Sequence, residues 1–387
     1  MSRPKSQIFE SLPTTIFTVM SALALEEGAI NLGQGFPDED GPETLRAHAA
    51  RALLEQPNQY PPMLGLPVLR EAVAAANRRF YGLAVDPASE VLVTSGATEA
   101  LTNCFLGLLN PGDEAIVFEP VYDSYAPMIR LAGATPVPVR LEPPDFRIPQ
   151  EALARAFGPR TKLIVVNSPM NPCGKVFNAA ELGLIAALCV RHDAYAICDE
   201  VYEHLVFDGA RHQPLMGLPG MAERTARIGS AGKTFALTGW KVGYVTAPAP
   251  LLDVIAKAHQ FVTFTTAPAL QAAVAVGLGL PDSYFGELAG SLQAKRDRLA
   301  RDLTEAGFSV LSCAGTYFVT AGYERLPFED APEALCKRLT REAKVAAIPL
   351  DTFYTDGRER RYLRFCFCKS EAVLDEAAQR LKTYLRR

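Results

Sequence analysis

Lys233 lies in the run Ser230-Ala-Gly-Lys233-Thr-Phe-Ala-Leu-Thr-Gly239-Trp-Lys241-Val-Gly243, with small residues beside it where a surface lysine would have polar neighbours. A compact amine in that setting can lose its proton, and a neutral amine condenses with an aldehyde to form a Schiff base. Gly232-Lys233-Thr234 also matches the tail of a nucleotide-binding P-loop, but the glycine required five positions before Gly232 is Arg227 here. A lysine that forms a Schiff base needs partner residues in the same site.

Three strand ends supply such residues. Tyr195-Ala-Ile-Cys198 reads as a short buried strand running into Asp199-Glu200-Val-Tyr202, and the carboxyl ends of strands are where open α/β sheets bind ligands. Asp199 can hold a protonated pyridine nitrogen, keeping the ring electron-withdrawing, or it can simply cap a helix. The phenol of Tyr202 can bond a ring oxygen or pack. Leu163-Ile-Val-Val166 ends in Asn167-Ser-Pro-Met-Asn171-Pro-Cys-Gly174, a turn at the same edge, and Asn171 can donate an amide hydrogen to a ring oxygen. Val91-Leu-Val-Thr94 leads into Ser95-Gly96-Ala97-Thr98, a glycine turn opening a helix. Free amides and the positive helix end make this an anion seat, to which Ser230 and Lys241 add a hydroxyl and a cation. An aldehyde for Lys233, a ring nitrogen for Asp199 and a phosphate for the seat together describe pyridoxal phosphate.

The elements that must position these groups alternate between strand and helix from about Val91 to about Val245, the pattern of a mostly parallel sheet covered on both faces. Downstream, Ala267 to Leu278 reads as a helix ending at Gly279. Ser283 to Ala306 reads as a long amphipathic helix with Lys295, Arg296 and Arg298 on its wet side. Val310-Leu, Thr316 to Thr320 and Tyr362 to Phe367 predict a small sheet, with helices near Pro332 to Glu342 and Glu371 to Leu385. The glycines of Gly33-Gln-Gly35 permit close approach of backbone to a ligand.

In order and wording these motifs resemble the fold-type I, class I/II pyridoxal-phosphate aminotransferases, and within them the kynurenine and methionine aminotransferase group. The resemblance runs from Ile30-Asn-Leu-Gly33-Gln-Gly35-Phe-Pro-Asp38 through Asn58-Gln-Tyr60, Glu119-Pro-Val-Tyr122-Asp-Ser-Tyr-Ala-Pro127 and the Asn171, Asp199 and Lys233 segments to Arg361-Tyr-Leu-Arg364-Phe-Cys-Phe. It implies an α/β fold: a large domain with a mostly parallel seven-stranded sheet and one antiparallel strand at Gly243 to Thr246, plus a smaller α/β domain. The implied organisation is an N-terminal segment over 1–40 that covers the site, a cofactor-binding domain over 41–280 and a small domain over 281–387.

Residue by residue, the resemblance makes Lys233 the Schiff-base lysine and proton carrier, Asp199 the pyridinium partner, and Tyr202 and Asn171 the donors to the ring oxygen. Tyr122 would stack on the ring, and Ala97, Thr98, Ser230 and Lys241 would hold the phosphate, with Tyr60 reaching in from the second subunit of a homodimer. Arg364 would clamp the substrate α-carboxylate, aided by Gly35 and Asn171. Phe17, Tyr60, Tyr122 and Phe264 occupy positions lining the side-chain pocket, with Phe264 also crossing the interface. Much of the wider family has arginine where this chain has Lys241; the kynurenine-type branch has lysine.

The implied activity is ping-pong transamination from an amino acid with an apolar, thioether or aromatic side chain to a 2-oxo acid, with methionine the first choice. A cysteine-S-conjugate β-lyase and an N-succinyldiaminopimelate aminotransferase are the alternatives; a non-catalytic sensor built on the same fold is the remote one.

Composition agrees with an enzyme of this size. The 387 residues, 49% of them hydrophobic, can fill a large core, and a formal charge of −4 with no basic run argues against nucleic acid. No apolar stretch reaches the roughly 20 residues needed to span a bilayer, and the polar start Met1-Ser-Arg-Pro-Lys precedes no signal-peptide core, so a cytoplasmic protein is expected. Eight cysteines fall in apolar patterns and read as buried small hydrophobes, and five histidines show no metal-binding pair.

Overall fold

Short runs of branched apolar residues set the central layer. In the computed structural model, which describes residues 3 and 5–386, the strands in chain order are β1 (Ile30–Asn31), β2 (Val91–Thr94), β3 (Glu114–Glu119), β4 (Thr135–Arg140), β5 (Thr161–Asn167), β6 (Tyr195–Asp199), β7 (Thr225–Ser230), β8 (Gly243–Thr246), β9 (Ser309–Val310), β10 (Phe318–Gly322), β11 (Val345–Ala346), β12 (Ile348–Pro349) and β13 (Tyr362–Cys366). Met1, Ser2 and Pro4 of the polar N-terminal run, and Arg387, lie outside the described residues.

Seven strands form one sheet in the order β2-β8-β7-β6-β5-β3-β4. The pairs β3–β4, β3–β5, β5–β6 and β6–β7 are parallel, and β8 runs antiparallel to both of its neighbours, as expected for Gly243 to Thr246. Every residue of β2, β7 and β8 is buried, which on a pleated strand requires cover on both faces. Parallel neighbours need crossover helices, and the helix Ala179–His192 joins β5 to β6. Its start is fixed by a capping box: Asn178 Oδ1 accepts from the Glu181 amide at 3.0 Å and Glu181 Oε2 accepts from the Asn178 amide at 3.1 Å, worth about 1 kcal/mol. This order brings the carboxyl ends of β5, β6 and β7 side by side.

A second sheet, β12-β13-β10-β9, is antiparallel throughout, and β1 pairs in parallel with β11, which ties the N-terminal segment to the later part of the chain. Two local expectations differ from the structure, that for Arg296 and that for the strand at Thr316. Arg296 is not on the wet side of its helix, Asp282–Glu305, but buried, donating to Asp208 Oδ2 and to the Cys313 carbonyl, both at 2.6 Å. Partners from Asp208 and Cys313, distant in sequence, outweigh the local polar pattern. The helix expected near Pro332 to Glu342 is present, α-helical over Pro332–Arg338 and continuing as a wider π-helical turn over Leu339–Ala343, closed by Lys344 at a left-handed φ of +57°. The strand around Thr316 starts later, at Phe318, because Thr316 has a φ of +76°. All eight cysteines are buried and free, and Cys366 and Cys368 bring their sulfurs to 3.1 Å.

Candidate active site

The carboxyl ends of β5, β6 and β7 and the turn after β2 enclose a cavity of about 240 Å³. Lys233, Asp199, Tyr202, Asn171, Tyr122, Ala97, Thr98, Ser230 and Lys241 all line it, together with Asn167 and Thr238. A roomier groove of about 540 Å³ runs past Phe146 and Ser312, but its Lys175 and Glu181 satisfy each other at 2.7 Å and leave no free reactive group between them.

One end of the cavity is built for an anion. Gly96 precedes the helix Ala97–Leu108 with φ 85° and ψ 169°, a conformation closed to residues bearing Cβ, and no side chain caps the first amides. A Cβ on Gly96 would lie 3.4 Å from Lys241 Cε, so the ammonium stem passes directly over the turn. Lys241 makes no ion pair among the described residues, and Ser230 opens the short helix Ala231–Thr234 without using its hydroxyl as a cap.

The other end holds a buried acid. Asp199 Oδ2 accepts from the phenol of Tyr125, while Oδ1 has no hydrogen-bond partner. Burial pushes its carboxyl up to about 6, against the pull of the Tyr125 hydrogen bond and of Lys233. A lone carboxylate oxygen in that position calls for a cationic donor. Behind Asp199, Glu200 and Glu203 are bound by the buried Arg227, which also donates to Asn77, and His212 Nε2 lies 2.9 Å from Glu200 Oε2. This cluster pins the loop that delivers Asp199 and Tyr202.

Between the two ends lies the amine. Lys233 Nζ lies 3.3 Å from the Gly35 carbonyl, and 5.6 and 5.7 Å from the ring centres of Tyr202 and Tyr317. Desolvation holds its pKa below the usual lysine value. Tyr317 anchors the lysine turn by donating to the Lys233 carbonyl at 2.7 Å. Burial likewise pushes the Tyr122 phenol up to about 12, leaving it a neutral ring at the cavity wall.

Arg364 approaches from β13. It is buried, donates to Asn171 Oδ1 at 2.9 Å and to the Gly33 carbonyl, and has Nε without a partner. Its guanidinium carbon sits 3.9 Å over the Phe318 ring and 5.0 Å from that of Phe17. The glycines at 33 and 35 thus point two carbonyls at two cations, and Gly35 also has no room for a side chain, since a Cβ would lie 2.3 Å from Phe318.

Tyr60 and Phe264 stand apart from this group. Their rings meet edge to face at 5.3 Å outside the cavity, with Tyr60 82% exposed. Sequence reasoning assigned no part to Tyr125, Tyr317, Arg227 or Asn167, whose Nδ2 donates to the Asp199 carbonyl at 2.8 Å. Of these, Tyr125 and Asn167 carried a signal, lying within the segments Tyr122-Asp-Ser-Tyr125 and Asn167-Ser-Pro-Met-Asn171.

An anion seat, a poised amine and an unpartnered acid in line can hold a flat cationic ring with an aldehyde and an anionic tail. The description of the aminotransferase class I and II family matches residues 27–381. A probable N-succinyldiaminopimelate aminotransferase from Mycobacterium tuberculosis is 46% identical over 385 residues, covering 97% of both chains. A methionine aminotransferase from Escherichia coli is 42% identical over 379 residues, covering 98% of both. The solved structure of N-succinyldiaminopimelate aminotransferase from Mycobacterium tuberculosis superposes with a TM-score of 0.96 at 46% identity, covering 98% of this chain and 100% of the other.

Proposed function

The chain belongs to the class I and II aminotransferases, and from that premise we propose that it uses pyridoxal phosphate to move the amino group of an L-amino acid with an apolar, thioether or aromatic side chain to a 2-oxo acid. The observation that carries the cofactor is Asp199: a buried carboxylate with one oxygen unpartnered, across the cavity from an uncapped helix start and a free Lys241. These residues fit the group at both its charged ends. When bound, pyridoxal phosphate supplies an electron-withdrawing ring that stabilises negative charge at the substrate's α carbon.

The chain's own part follows from its geometry. Asp199 would hold a proton on the cofactor's ring nitrogen by charge, through the oxygen that has no other partner. Lys233, held neutral more readily by desolvation, takes the proton from the substrate Cα and would deliver it to the carbon that carried the cofactor's aldehyde, so that the amino group stays behind when the 2-oxo acid leaves by hydrolysis. Arg364, fixed by Asn171 and the Gly33 carbonyl, presents its remaining donors to the α-carboxylate and so aims the Cα–H bond at Lys233. Phe17, Phe318 and Phe353 crowd the guanidinium, excluding water and strengthening that ion pair.

Methionine is the first choice of donor: Lys233 and Lys241 are the only cations among the cavity's lining residues, and both have other work. The second reading, an N-succinyldiaminopimelate donor, is favoured by the relative at 46% identity. It requires a further cation for the distal carboxylate. Titrating the cofactor-loaded protein against methionine, phenylalanine, kynurenine, glutamine, aspartate and N-succinyldiaminopimelate, without an acceptor, separates them. The expected result is loss of the visible absorption band at the lowest concentration with methionine. Pyruvate released from a cysteine S-conjugate without an acceptor would instead identify a β-lyase.

The exposed Tyr60, whose ring meets that of Phe264, supports a proposed homodimer in which Tyr60 and Phe264 complete the partner's site. A cytoplasmic location is proposed on the sequence; among the described residues no helix is long and apolar enough to cross a membrane.

A further inference from the structure

His259 is fully buried in the last turn of the helix Ala249–Val262, and both of its ring nitrogens face acceptors. Nδ1 lies 2.6 Å from Glu99 Oε1 and Nε2 lies 3.2 Å from the Met63 carbonyl. A carbonyl can only accept. Glu99 is already an acceptor at both oxygens, from the Asn103 side-chain amide at 2.6 Å and from the Ser95 backbone amide. With Glu99 ionised, an imidazolium with a proton on each nitrogen satisfies both contacts. Helix ends agree with that charge: His259 sits where a helix terminus favours a cation, and Glu99 in the first turn of Ala97–Leu108, where an anion is favoured.

Glu99 has a cost for the phosphate seat. It follows Thr98 directly and bonds the Ser95 amide, so its negative charge lies beside the amides that must attract an anion. Resting on the cofactor reading above, we propose that His259 is a positioning residue for the phosphate: held as an imidazolium, it neutralises Glu99 and lets the seat keep its affinity for a dianion. Glu99 is the one charged group hydrogen-bonded to His259 among the described residues. The same residue ties in two further segments, the Tyr60 loop through the Met63 carbonyl and the Phe264 turn through its own carbonyl, which accepts from the Thr263 and Phe264 amides at 3.0 and 2.9 Å.

The test compares dissociation constants for pyridoxal phosphate and for pyridoxal, which lacks the phosphate, in the full-length wild type, His259→Gln and His259→Gln/Glu99→Gln. The single variant should bind pyridoxal phosphate about tenfold more weakly while pyridoxal changes less than about twofold. Adding Glu99→Gln should restore most of the loss, because it removes the uncompensated charge. Equal losses for both ligands, or a double variant weaker than the single, would show packing alone and overturn the proposal. Nitrogen-15 NMR of the histidine-labelled wild type needs no variant: two protonated ring nitrogens at neutral pH are expected for His259, and one bare nitrogen overturns the charge assignment even if the variants do not fold. Wild-type protein that binds pyridoxal phosphate no better than pyridoxal would instead sink the cofactor reading, a failure seen before any variant is made.

Discussion

Lys233 and Asp199 do opposite things with burial. Desolvation makes the lysine easier to deprotonate and the aspartate harder to ionise, so burial opposes the charge on both residues. Replacing Lys233 with alanine should abolish amino transfer in a coupled 2-oxo acid assay, and full turnover by that variant would end the proton-carrier assignment. The acid gives a stability prediction. In the cofactor-free protein its carboxyl titrates at about 6 against an ordinary 3.8, so between those values the folded chain binds more protons than the unfolded one. The stability associated with the neutral acid is therefore complete below about pH 4 and lost as pH rises through about 6, with an upper bound of about 3 kcal/mol. Asp199→Asn does not titrate. Thermal unfolding of the cofactor-free wild type should lose ground to this variant from pH 4 to 7, and parallel curves would contradict an unpaired buried carboxylate.

Among the elements, the turn between β2 and the helix Ala97–Leu108 was the most legible from sequence, because a strand, a glycine and a helix start are all local. Its φ of 85° at Gly96 and the Lys241 stem 3.4 Å from an added Cβ explain why glycine is needed there. Gly96→Ala should cost about 1–3 kcal/mol in backbone strain and weaken pyridoxal phosphate more than pyridoxal. Equal affinity of the variant and the wild type for pyridoxal phosphate would mean that the turn does not seat the phosphate. Less legible was the long helix Asp282–Glu305, where Arg296 looked solvated. Asp208, 88 positions away, and the Cys313 carbonyl take it inside, and no periodicity within the helix encodes such partners.

At the scale of the molecule, the exposed Tyr60 and Phe264 make the arrangement of subunits testable. If each site takes Lys233 from one chain and Tyr60 from the other, hybrid dimers of Lys233→Ala and Tyr60→Ala chains contain one site with neither substitution. Mixing the two weakened proteins should raise activity above the sum of the parts, whereas simple additivity would place Tyr60 outside the site. The sequence by itself determined the reactive types and the sheet edge that carries them, because an apolar strand ending in Asp199, Asn167 or Ser230 states both burial and direction within a few residues. It also determined the family, since motif order along the chain survives without coordinates. Only the tertiary structure decided what each group faces. Tyr125 reaches Asp199 across 74 positions, and Arg364 reaches the Gly33 carbonyl across 331. Such pairings depend on the order in which strands are laid side by side, which is settled by the packing of the whole core and not by the local pattern of any one segment.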